Sequence, residues 1–309
     1  MKSKAGKILI TGSSGMLGVE LCQELRGDYE IIGTDLATKN KKQKTSFYKG
    51  DITDKKNISD VIARAKPNVV IHTAAWTDVD GCELDEERAY KINSEGAQNV
   101  ALACKTAGAI PIYISTDFVF DGRKKRPYKE EDRPNPISIY ADSKLKGENF
   151  IKRVLKKYFI IRTSWLYGKY GKNFVDTILS KTKNEKALKV VNDQVGSPTY
   201  TKDLAKALHV LLNKVFTLNH HLPVPYGTYH VSNSGATPWY EYAKAIVMLA
   251  KAKTIIIPIS SDELSRPARR PAMSVLDNSK FIKFTGHRMR RWEDALREYV
   301  LPKTKETVC

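Results

Sequence analysis

The chain has 309 residues, of which 41% are hydrophobic and 28% are charged, so it is long enough for one large or two medium domains. No apolar run approaches the roughly 20 residues of a membrane span, and the apolar run near the N-terminus is too short for the core of a signal peptide. We therefore expect a cytoplasmic protein that binds no membrane.

Charge and cysteine content argue against two further classes, nucleic-acid binders and metalloproteins. The net charge is +18, but the lysines are spread along the chain and no nucleic-acid-binding motif is visible. We expect a lysine-rich solvated surface that also suits an anionic substrate, and no nucleic acid. Neither a disulfide nor a metal site is predicted, because no C-x-x-C pair occurs among the scattered cysteines Cys22, Cys82, Cys104 and Cys309.

Short apolar runs alternate with amphipathic segments through the first half of the chain. Strands are predicted at residues 7–10, 29–34, 68–72, 110–115 and 159–162, and helices at 15–26, 58–66, 86–108 and 140–157. This alternation predicts an α/β fold with a doubly wound parallel sheet of the Rossmann type, in which ligands bind beyond the carboxyl ends of the strands.

The second half is less regular. Helices are predicted at residues 174–183, 202–213, 238–251 and 292–300, and strands at 227–232 and 253–259. Thr237 is the expected N-cap of the third of these helices, with Pro238 in its first turn. We expect a dinucleotide-binding domain over residues 1–165 and a smaller α/β C-terminal substrate lobe over 166–309. Segments near 200–232 are expected to return to the first domain.

A glycine-rich loop follows the first predicted strand and opens the first helix. It reads Thr11-Gly-Ser-Ser-Gly-Met-Leu-Gly18, and the acidic residue Asp35 ends the next strand about 20 residues later, as in dinucleotide-binding sites. Its glycines permit a tight turn, a close approach of the pyrophosphate and close helix packing. We assign to the cofactor the loop residues Gly12, Ser14, Gly15, Met16, Leu17 and Gly18.

The cofactor is predicted to be NADPH or NADH, and the residues near Asp35 leave both open. Asp35 can accept hydrogen bonds from the adenosine ribose, which favours NADH. The lysines that follow can offset its charge beside a 2′-phosphate; they are Lys39, Lys41, Lys42 and Lys44. Asp51 and Ile52 are predicted to flank the adenine ring, with a plain loop role as the alternative.

Tyr140 and Lys144 lie four residues apart on a predicted helix, and therefore on one face of it. The pKa of a free phenol is about 10, and a nearby ammonium favours the phenolate, so the pair can deliver a proton to a carbonyl oxygen near neutral pH. By itself this spacing also fits a surface helix with a half-buried tyrosine and a solvated lysine.

Further strings occur in a characteristic order: His72-Thr-Ala-Ala-Trp-Thr-Asp-Val-Asp80, Ser115-Thr-Asp-Phe-Val-Phe-Asp-Gly122, Arg162-Thr-Ser-Trp-Leu-Tyr-Gly168, Asp193-Gln-Val-Gly-Ser-Pro-Thr199 and Arg270-Pro-Ala-Met-Ser-Val-Leu-Asp277. With the glycine loop and Tyr140-x-x-x-Lys144, they resemble the extended short-chain dehydrogenase/reductase superfamily. Within it, nearly the whole chain is similar to the dTDP-4-dehydrorhamnose reductase (RmlD/RfbD) family.

The resemblance implies reduction of the C4 ketone of dTDP-4-dehydro-L-rhamnose to dTDP-L-rhamnose by NAD(P)H. Thr116 would hydrogen-bond the ketone oxygen, Tyr140 would protonate it, and Lys144 would lower the pKa of Tyr140 and hold the nicotinamide ribose. The resemblance also places Ala74, Ala75 and Asn93 around the cofactor. It assigns to the substrate the positions Asp117, Trp165, Asn173, Phe174, Gln194, Thr199 and Arg270.

Alternative functions remain open from the residues themselves. One is a reductase or epimerase for another nucleotide-linked 4-keto-6-deoxy sugar, since the superfamily shares Tyr140 and Lys144. A dehydratase is disfavoured, because Asp117 is followed by Phe118 and not by a second acid. A non-catalytic dinucleotide-binding regulatory protein is disfavoured by the intact Thr116, Tyr140 and Lys144. A homodimer is left open.

Overall fold

The computed structural model describes residues 4–37, 45–218 and 223–305. The strands of the first half are β1 (Lys7–Thr11), β2 (Glu30–Asp35), β3 (Ser46–Lys49), β4 (Val69–His72), β5 (Ile110–Thr116) and β6 (Phe159–Thr163). The helices between them are α1 (Met16–Leu25), α2 (Lys55–Ala65), α3 (Val79–Leu84), α4 (Glu86–Tyr90), α5 (Gly96–Ala107) and α6 (Ile139–Val154).

Among the described residues, the second half contributes shorter strands and six further helices. Its strands are β7 (Leu166–Tyr167), β8 (Ala187–Val191), β9 (Val195–Gly196), β10 (Thr199–Tyr200), β11 (Gly227–His230), β12 (Thr237–Pro238) and β13 (Ile255–Ile259). Its helices are α7 (Phe174–Lys181), α8 (Thr201–Leu218), α9 (Trp239–Leu249), α10 (Ser261–Leu264), α11 (Ser279–Thr285) and α12 (Trp292–Lys305). No helix within the described ranges is long and apolar enough to cross a membrane.

In the part of the chain that the structure describes, seven parallel strands form the central sheet in the order β11-β6-β5-β4-β1-β2-β3. Strands β2 and β3 are added on one side of β1, and β4, β5, β6 and β11 are added on the other. This switch in strand order between β1 and β4 opens a crevice at the carboxyl ends of those strands. Thr11 and His72 end β1 and β4 side by side in register. The predicted doubly wound α/β fold is confirmed.

Helices cover both faces of the sheet, which explains why its strands are continuous apolar runs. Ile8 and Ile10 of β1 pack on one face with α1 and α8, while Leu9 packs on the other with α2 and α5. All three side chains are fully buried. The alternation of the strand thus places consecutive residues in two separate cores.

The second lobe is built around aromatic side chains. Parallel strands β8 and β13 form a small sheet against α7 and α9, and a cluster of tyrosines from β7, β10, α9 and α12 fills the interior. The intervening segment is not part of this lobe: α8 packs in the core beside α1, and β11 pairs with β6 in the central sheet. The chain therefore crosses between the two cores more than once.

Two local features differ from the sequence-based expectations. The predicted helix 86–108 is interrupted by a π-helical turn at Lys91–Glu95, a feature often found at functional sites. Helix α9 begins at Trp239 with Pro238 as its N-cap, so Thr237 does not cap it; Thr237 instead pairs with Gly196 in a short antiparallel ladder. The need to pair these two strands outweighs the capping preference of threonine.

Leu208 tests whether α8 belongs to the main core. Its side chain is fully buried among residues of α1 and the sheet, so Leu208→Ala should lower the free energy of unfolding by about 2–5 kcal/mol through lost burial and a cavity. Leu84→Ala is the matched control, because Leu84 is 76% exposed and its truncation should change stability by less than about 0.5 kcal/mol. Urea titration followed by circular dichroism measures both, and equal midpoints would contradict this packing.

Candidate active site

A cavity of about 870 Å³ lies beyond the carboxyl ends of the strands, at the switch in strand order between β1 and β4. Its size suits a nucleotide-sized ligand. Of the residues that the sequence assigned to the cofactor, the substrate or the chemistry, the following line it: Gly12, Gly15, Met16, Leu17, Gly18, Asp35, Asp51, Ile52, Ala74, Ala75, Thr116, Asp117, Tyr140, Lys144 and Trp165.

The glycine loop is shaped by close contacts that exclude side chains. Gly12 has a φ of +66°, and a Cβ there would lie 2.7 Å from the backbone nitrogen of Ala74. A Cβ on Gly18 would lie 2.1 Å from the carbonyl oxygen of Gly12. Gly15, the N-cap of α1, has no side chain to cap the helix, so the first N–H groups of α1 are available to phosphate oxygens. The loop therefore fits the pyrophosphate of a dinucleotide.

Asp35 stands at the end of β2, beside the glycine loop. One of its carboxylate oxygens accepts a hydrogen bond from the Ser14 N–H at 3.0 Å, and the other accepts from the Leu36 N–H at 2.8 Å. Ser14 thus contributes through its backbone, and it does not line the cavity. The lysines weighed against Asp35, which are Lys39, Lys41, Lys42 and Lys44, lie outside the described residues, as does Cys309.

Thr116, Tyr140 and Lys144 come together from two elements that meet at the cavity. Thr116 ends β5, and helix α6, capped by the Ser138 side chain, carries Tyr140 and Lys144 one turn apart. The Thr116 hydroxyl lies close enough to the Tyr140 phenol to influence its pKa. Two hydroxyl donors and one amine therefore converge on the same wall of the cavity.

Burial is the largest influence on the pKa values of Tyr140 and Lys144. Burial raises the pKa of Tyr140 above its ordinary value of 10, although the nearby Thr116 hydroxyl opposes the shift. Burial also lowers the pKa of Lys144 to about 7, against the opposing charge of Glu148. The lowered pKa expected for Tyr140 is therefore not found in the protein alone. The Lys144 ammonium instead donates a hydrogen bond of 2.8 Å to the backbone carbonyl of Ile114, which lies outside the trio.

Asp117 is a buried carboxyl that lines the cavity. Burial raises its pKa to about 7, while the nearby hydroxyls of Ser274 and Thr116 oppose the shift. Its Oδ1 accepts from the Thr116 hydroxyl at 3.2 Å, whereas its Oδ2 has no hydrogen-bond partner among the described residues. A buried acceptor without a partner is costly, so this oxygen is suited to a polar group of a ligand.

A buried ion pair stands directly behind the trio. Glu148, one turn beyond Lys144 on α6, binds Arg162 of β6 through two hydrogen bonds of 2.9 and 2.7 Å. The carboxylate also accepts from the hydroxyl of Ser115, the neighbour of Thr116, at 2.6 Å. Burial by itself raises the pKa of Glu148, but the charges of Arg162 and Lys152 and these hydrogen bonds lower it to about 2.

Six other residues predicted for the site do not line the cavity, and all of them have protein partners. Asn93 donates to and accepts from the backbone of Trp76, and thereby holds the loop after β4. Asn173 caps α7 and donates to the Gly168 carbonyl. Phe174 packs on Trp239 with ring centroids 4.4 Å apart. These three residues hold parts of the wall in place.

The other three lie in the C-terminal half of the chain. Thr199 is fully buried and donates to the Ser197 carbonyl, and Gln194 donates to the Ser261 hydroxyl at 2.8 Å. Arg270 pairs with Asp80 at 2.8 Å. Their resemblance-based assignment to the substrate therefore remains a prediction, and each would need its present partner to be exchanged or shared.

Several lining residues were not predicted from the sequence. Among them are Trp76, Arg88, Lys91, Lys172 and Trp239. Trp76 lies within the string from His72 to Asp80, but the sequence analysis assigned no role to its side chain. Arg88 stacks on Trp76, with the guanidinium carbon 4.5 Å from the ring centroid. Trp239 comes from α9 in the second lobe, and no local pattern links that helix to the crevice. Only the folded chain brings it to the cavity.

Gly18→Ala tests the glycine loop. The added methyl group would overlap the Gly12 carbonyl, so the loop must shift, and we expect lower thermal stability and a large loss of dinucleotide affinity. Gly27→Ala is the matched control, since a Cβ at Gly27 meets nothing within 4 Å. Thermal melts and fluorescence titration with NADPH measure the two effects. Unchanged binding in Gly18→Ala would show that the loop does not hold the phosphates.

Glu148→Gln tests the buried ion pair. It leaves Arg162 buried without a counter-charge and should destabilise the protein by about 3–5 kcal/mol near neutral pH. Because the folded pKa of Glu148 lies below its unfolded value, the stability from its charge is present above about pH 4.5 and is lost as the pH falls towards 2. The wild-type advantage should therefore shrink over that range.

Denaturant titrations at several pH values measure this difference. The matched control is Glu185→Gln in the exposed pair with Lys181, which should change stability by less than about 1 kcal/mol. A pH-independent difference between wild type and Glu148→Gln would mean that the carboxylate charge is not what stabilises this region.

The geometry agrees with similarity to known proteins. A family model described as the RmlD substrate binding domain matches residues 6–304. The chain is 42% identical to the spore coat polysaccharide biosynthesis protein SpsK of Bacillus subtilis, over 95% of this chain and 96% of that protein. It is 37% identical to a dTDP-4-dehydrorhamnose reductase of Aggregatibacter actinomycetemcomitans, over 94% and 97%.

A solved structure leads to the same family. The crystal structure of dTDP-4-dehydrorhamnose reductase from Bacillus anthracis, in complex with NADP, superposes with a TM-score of 0.86 at 40% identity. The match covers 97% of this chain and all of that one. Since the family model and these relatives match nearly the whole chain, the protein belongs to the RmlD family, whose members include dTDP-4-dehydrorhamnose reductases.

Proposed function

We propose that the protein is an NAD(P)H-dependent reductase that converts the C4 ketone of dTDP-4-dehydro-L-rhamnose into the hydroxyl of dTDP-L-rhamnose. The observation that carries this proposal is the convergence of Thr116, Tyr140 and Lys144 in the same cavity as the glycine loop. The relatives named above act as such reductases or lie in the same family, which supports the same substrate class.

The cavity residues fit the proposed cofactor. Because Gly12, Gly15 and Gly18 have no side chains, the loop leaves room for a pyrophosphate. Asp35 lies where the adenosine ribose hydroxyls would reach it. The small side chains of Ala74 and Ala75 would leave space for the cofactor. When bound, the reduced nicotinamide supplies the hydride that attacks the ketone carbon.

The protein's own part in the reaction is to handle the charge on the ketone oxygen. As that oxygen becomes negative, the hydroxyls of Thr116 and Tyr140 donate hydrogen bonds to it, where stabilisation lowers the barrier most. Tyr140 then transfers its phenolic proton to the oxygen and becomes a phenolate. The Lys144 ammonium, held near by the Ile114 carbonyl, offsets the phenolate charge and can bind the nicotinamide ribose.

Other cavity residues would position the sugar nucleotide. Asp117 offers to a sugar hydroxyl a buried carboxyl oxygen that has no hydrogen-bond partner among the described residues, and Trp165 forms part of the cavity wall. A nucleotide diphosphate held far from the ketone supplies binding energy that orients the sugar. The strongly basic chain favours such an anionic substrate.

Tyr140→Phe tests the proposed chemistry. The variant cannot donate the proton, so turnover with the 4-keto sugar nucleotide should fall by at least about 10²-fold, while affinity for NADPH should be retained. Oxidation of NADPH and NADH, followed at 340 nm, measures the rate. Tyr158→Phe is the control, because this half-buried tyrosine lies away from the cavity. A wild-type protein that oxidises neither cofactor would contradict the proposal.

The same assay separates the alternatives. Dinucleotide binding without turnover of any 4-keto sugar would favour a non-catalytic regulatory protein. Turnover to a 4-epimeric product, identified by NMR of the sugar, would favour a reductase for a different nucleotide sugar. A homodimer also remains an expectation, and light scattering of the purified protein measures it.

A further inference from the structure

Two tryptophans stack on the wall of the cavity. The rings of Trp165 and Trp239 lie parallel, with centroids 3.4 Å apart and an angle of 4° between their planes. Both are half-buried and both line the cavity. Trp165 lies in the turn between β6 and β7, whereas Trp239 begins α9 in the second lobe. The stack is therefore a point where the two parts of the chain meet at the site.

Trp165 has an unusual backbone. Its φ is +47°, in the left-handed region that bulky side chains rarely adopt. Among the described residues, three other non-glycine residues have a positive φ, and each lies within two residues of a helix C-terminus; they are Lys66, Lys251 and Ser265. Trp165 has no such local reason. Strain of about 1–3 kcal/mol persists only where surrounding contacts enforce it.

The contacts on the Trp165 indole supply that constraint. A Cβ on Gly196 would lie only 2.4 Å from the indole, so the ring packs directly against the Gly196 backbone. Gly196 pairs with Thr237, two residues before Trp239, in the β9–β12 ladder. The Trp239 N–H also donates to the Gln194 carbonyl at 3.4 Å. Gly196 and Trp239 thus belong to one connected unit that contacts the same indole.

Trp239 packs against other aromatic side chains of the second lobe. Phe174 packs on it with ring centroids 4.4 Å apart, and Tyr242, which is fully buried, lies 6.1 Å away. Phe174 follows Asn173, the residue that caps α7, so the support extends into the core of the second lobe. The core of the second lobe therefore fixes the position of the Trp239 ring, and the Trp239 ring stacks on Trp165.

We propose that Trp239 is a positioning residue that holds Trp165 in its strained conformation and so sets the wall against which the nucleotide sugar is oriented. The inference rests on the proposed function. Without the Trp239 ring, Trp165 is free to return to an ordinary backbone conformation, and the part of the cavity wall that Trp165 forms moves. Neither tryptophan is among the nearest neighbours of a Cβ built at Gly12, Gly15 or Gly18, so the cofactor should bind as before.

Trp239→Ala is the direct test. We expect kcat/KM for the nucleotide sugar to fall by about 10- to 100-fold, because small misplacements of a reacting group cost this much, with the Kd for NADPH unchanged. Trp239→Phe keeps an aromatic ring and should recover most of the loss. The matched control is Tyr240→Ala, which removes the adjacent half-buried ring outside the cavity and should behave as wild type.

A spectroscopic signal separates positioning from mere stability. Two indoles this close couple their electronic transitions, so wild type should show a tryptophan couplet in circular dichroism that changes when the nucleotide sugar binds. Trp239→Phe should lack the couplet while keeping the wild-type melting temperature. Three results would overturn the inference: wild-type kcat/KM in Trp239→Ala, an equal loss in Tyr240→Ala, or a loss that occurs only together with NADPH binding.

Failure of the proposed function gives a different result. A wild-type protein that turns over no 4-keto sugar contradicts the proposed reaction, and calorimetric titration with the nucleotide sugar then decides the inference. Weaker binding in Trp239→Ala than in wild type would support a positioning role, whereas equal binding would refute it, as would a wild type that binds no nucleotide sugar.

Discussion

The ion pair between Glu148 and Arg162 is the constraint on which the arrangement of the site depends. Both side chains are almost completely buried, and two hydrogen bonds join them. Charges taken out of water must be paired closely, so α6 and β6 cannot move apart without exposing one charge to an apolar interior. The Ser115 hydroxyl joins the same carboxylate, which extends the constraint to β5. Thr116 follows Ser115 in β5, and Lys144 lies one turn before Glu148 on α6. The ion pair thereby fixes Thr116 and Lys144 relative to each other.

The carboxyl ends of the parallel strands bring the two functions of the site together. Steric limits at the glycine loop reserve one end of the cavity for phosphate, because a Cβ at Gly12 or Gly18 would meet backbone atoms. At the other end, burial favours the neutral forms of Tyr140, Lys144 and Asp117 and so makes each sensitive to what binds beside it. A charged cofactor and substrate entering such a site change its protonation as well as its shape. The protonation of these groups in the reacting state therefore depends on the cofactor and substrate bound beside them.

The second lobe acts through packing more than through charge. Its tyrosines and tryptophans form a continuous aromatic core that reaches the cavity at Trp239. Because α8 and β11 return to the first core between the segments of this lobe, the lobe cannot move as an independent body without disturbing the central sheet. Residues such as Asn173 and Thr199, which the resemblance assigned to the substrate, serve this framework through hydrogen bonds within it.

The sequence by itself determined the sheet, the order of its main elements and the half of the site that is local in the chain. Buried parallel strands are continuous apolar runs, and the glycine loop and the Tyr140–Lys144 pair are each defined within about two helical turns, so their patterns are readable without a structure. Only the tertiary structure decided the rest. It set Trp239 against Trp165, separated by 74 positions in the chain, placed Glu148 opposite Arg162, and raised the pKa of Tyr140 where a neighbouring lysine had suggested the reverse. Burial and long-range contact are properties of the folded chain, and no local spacing encodes them.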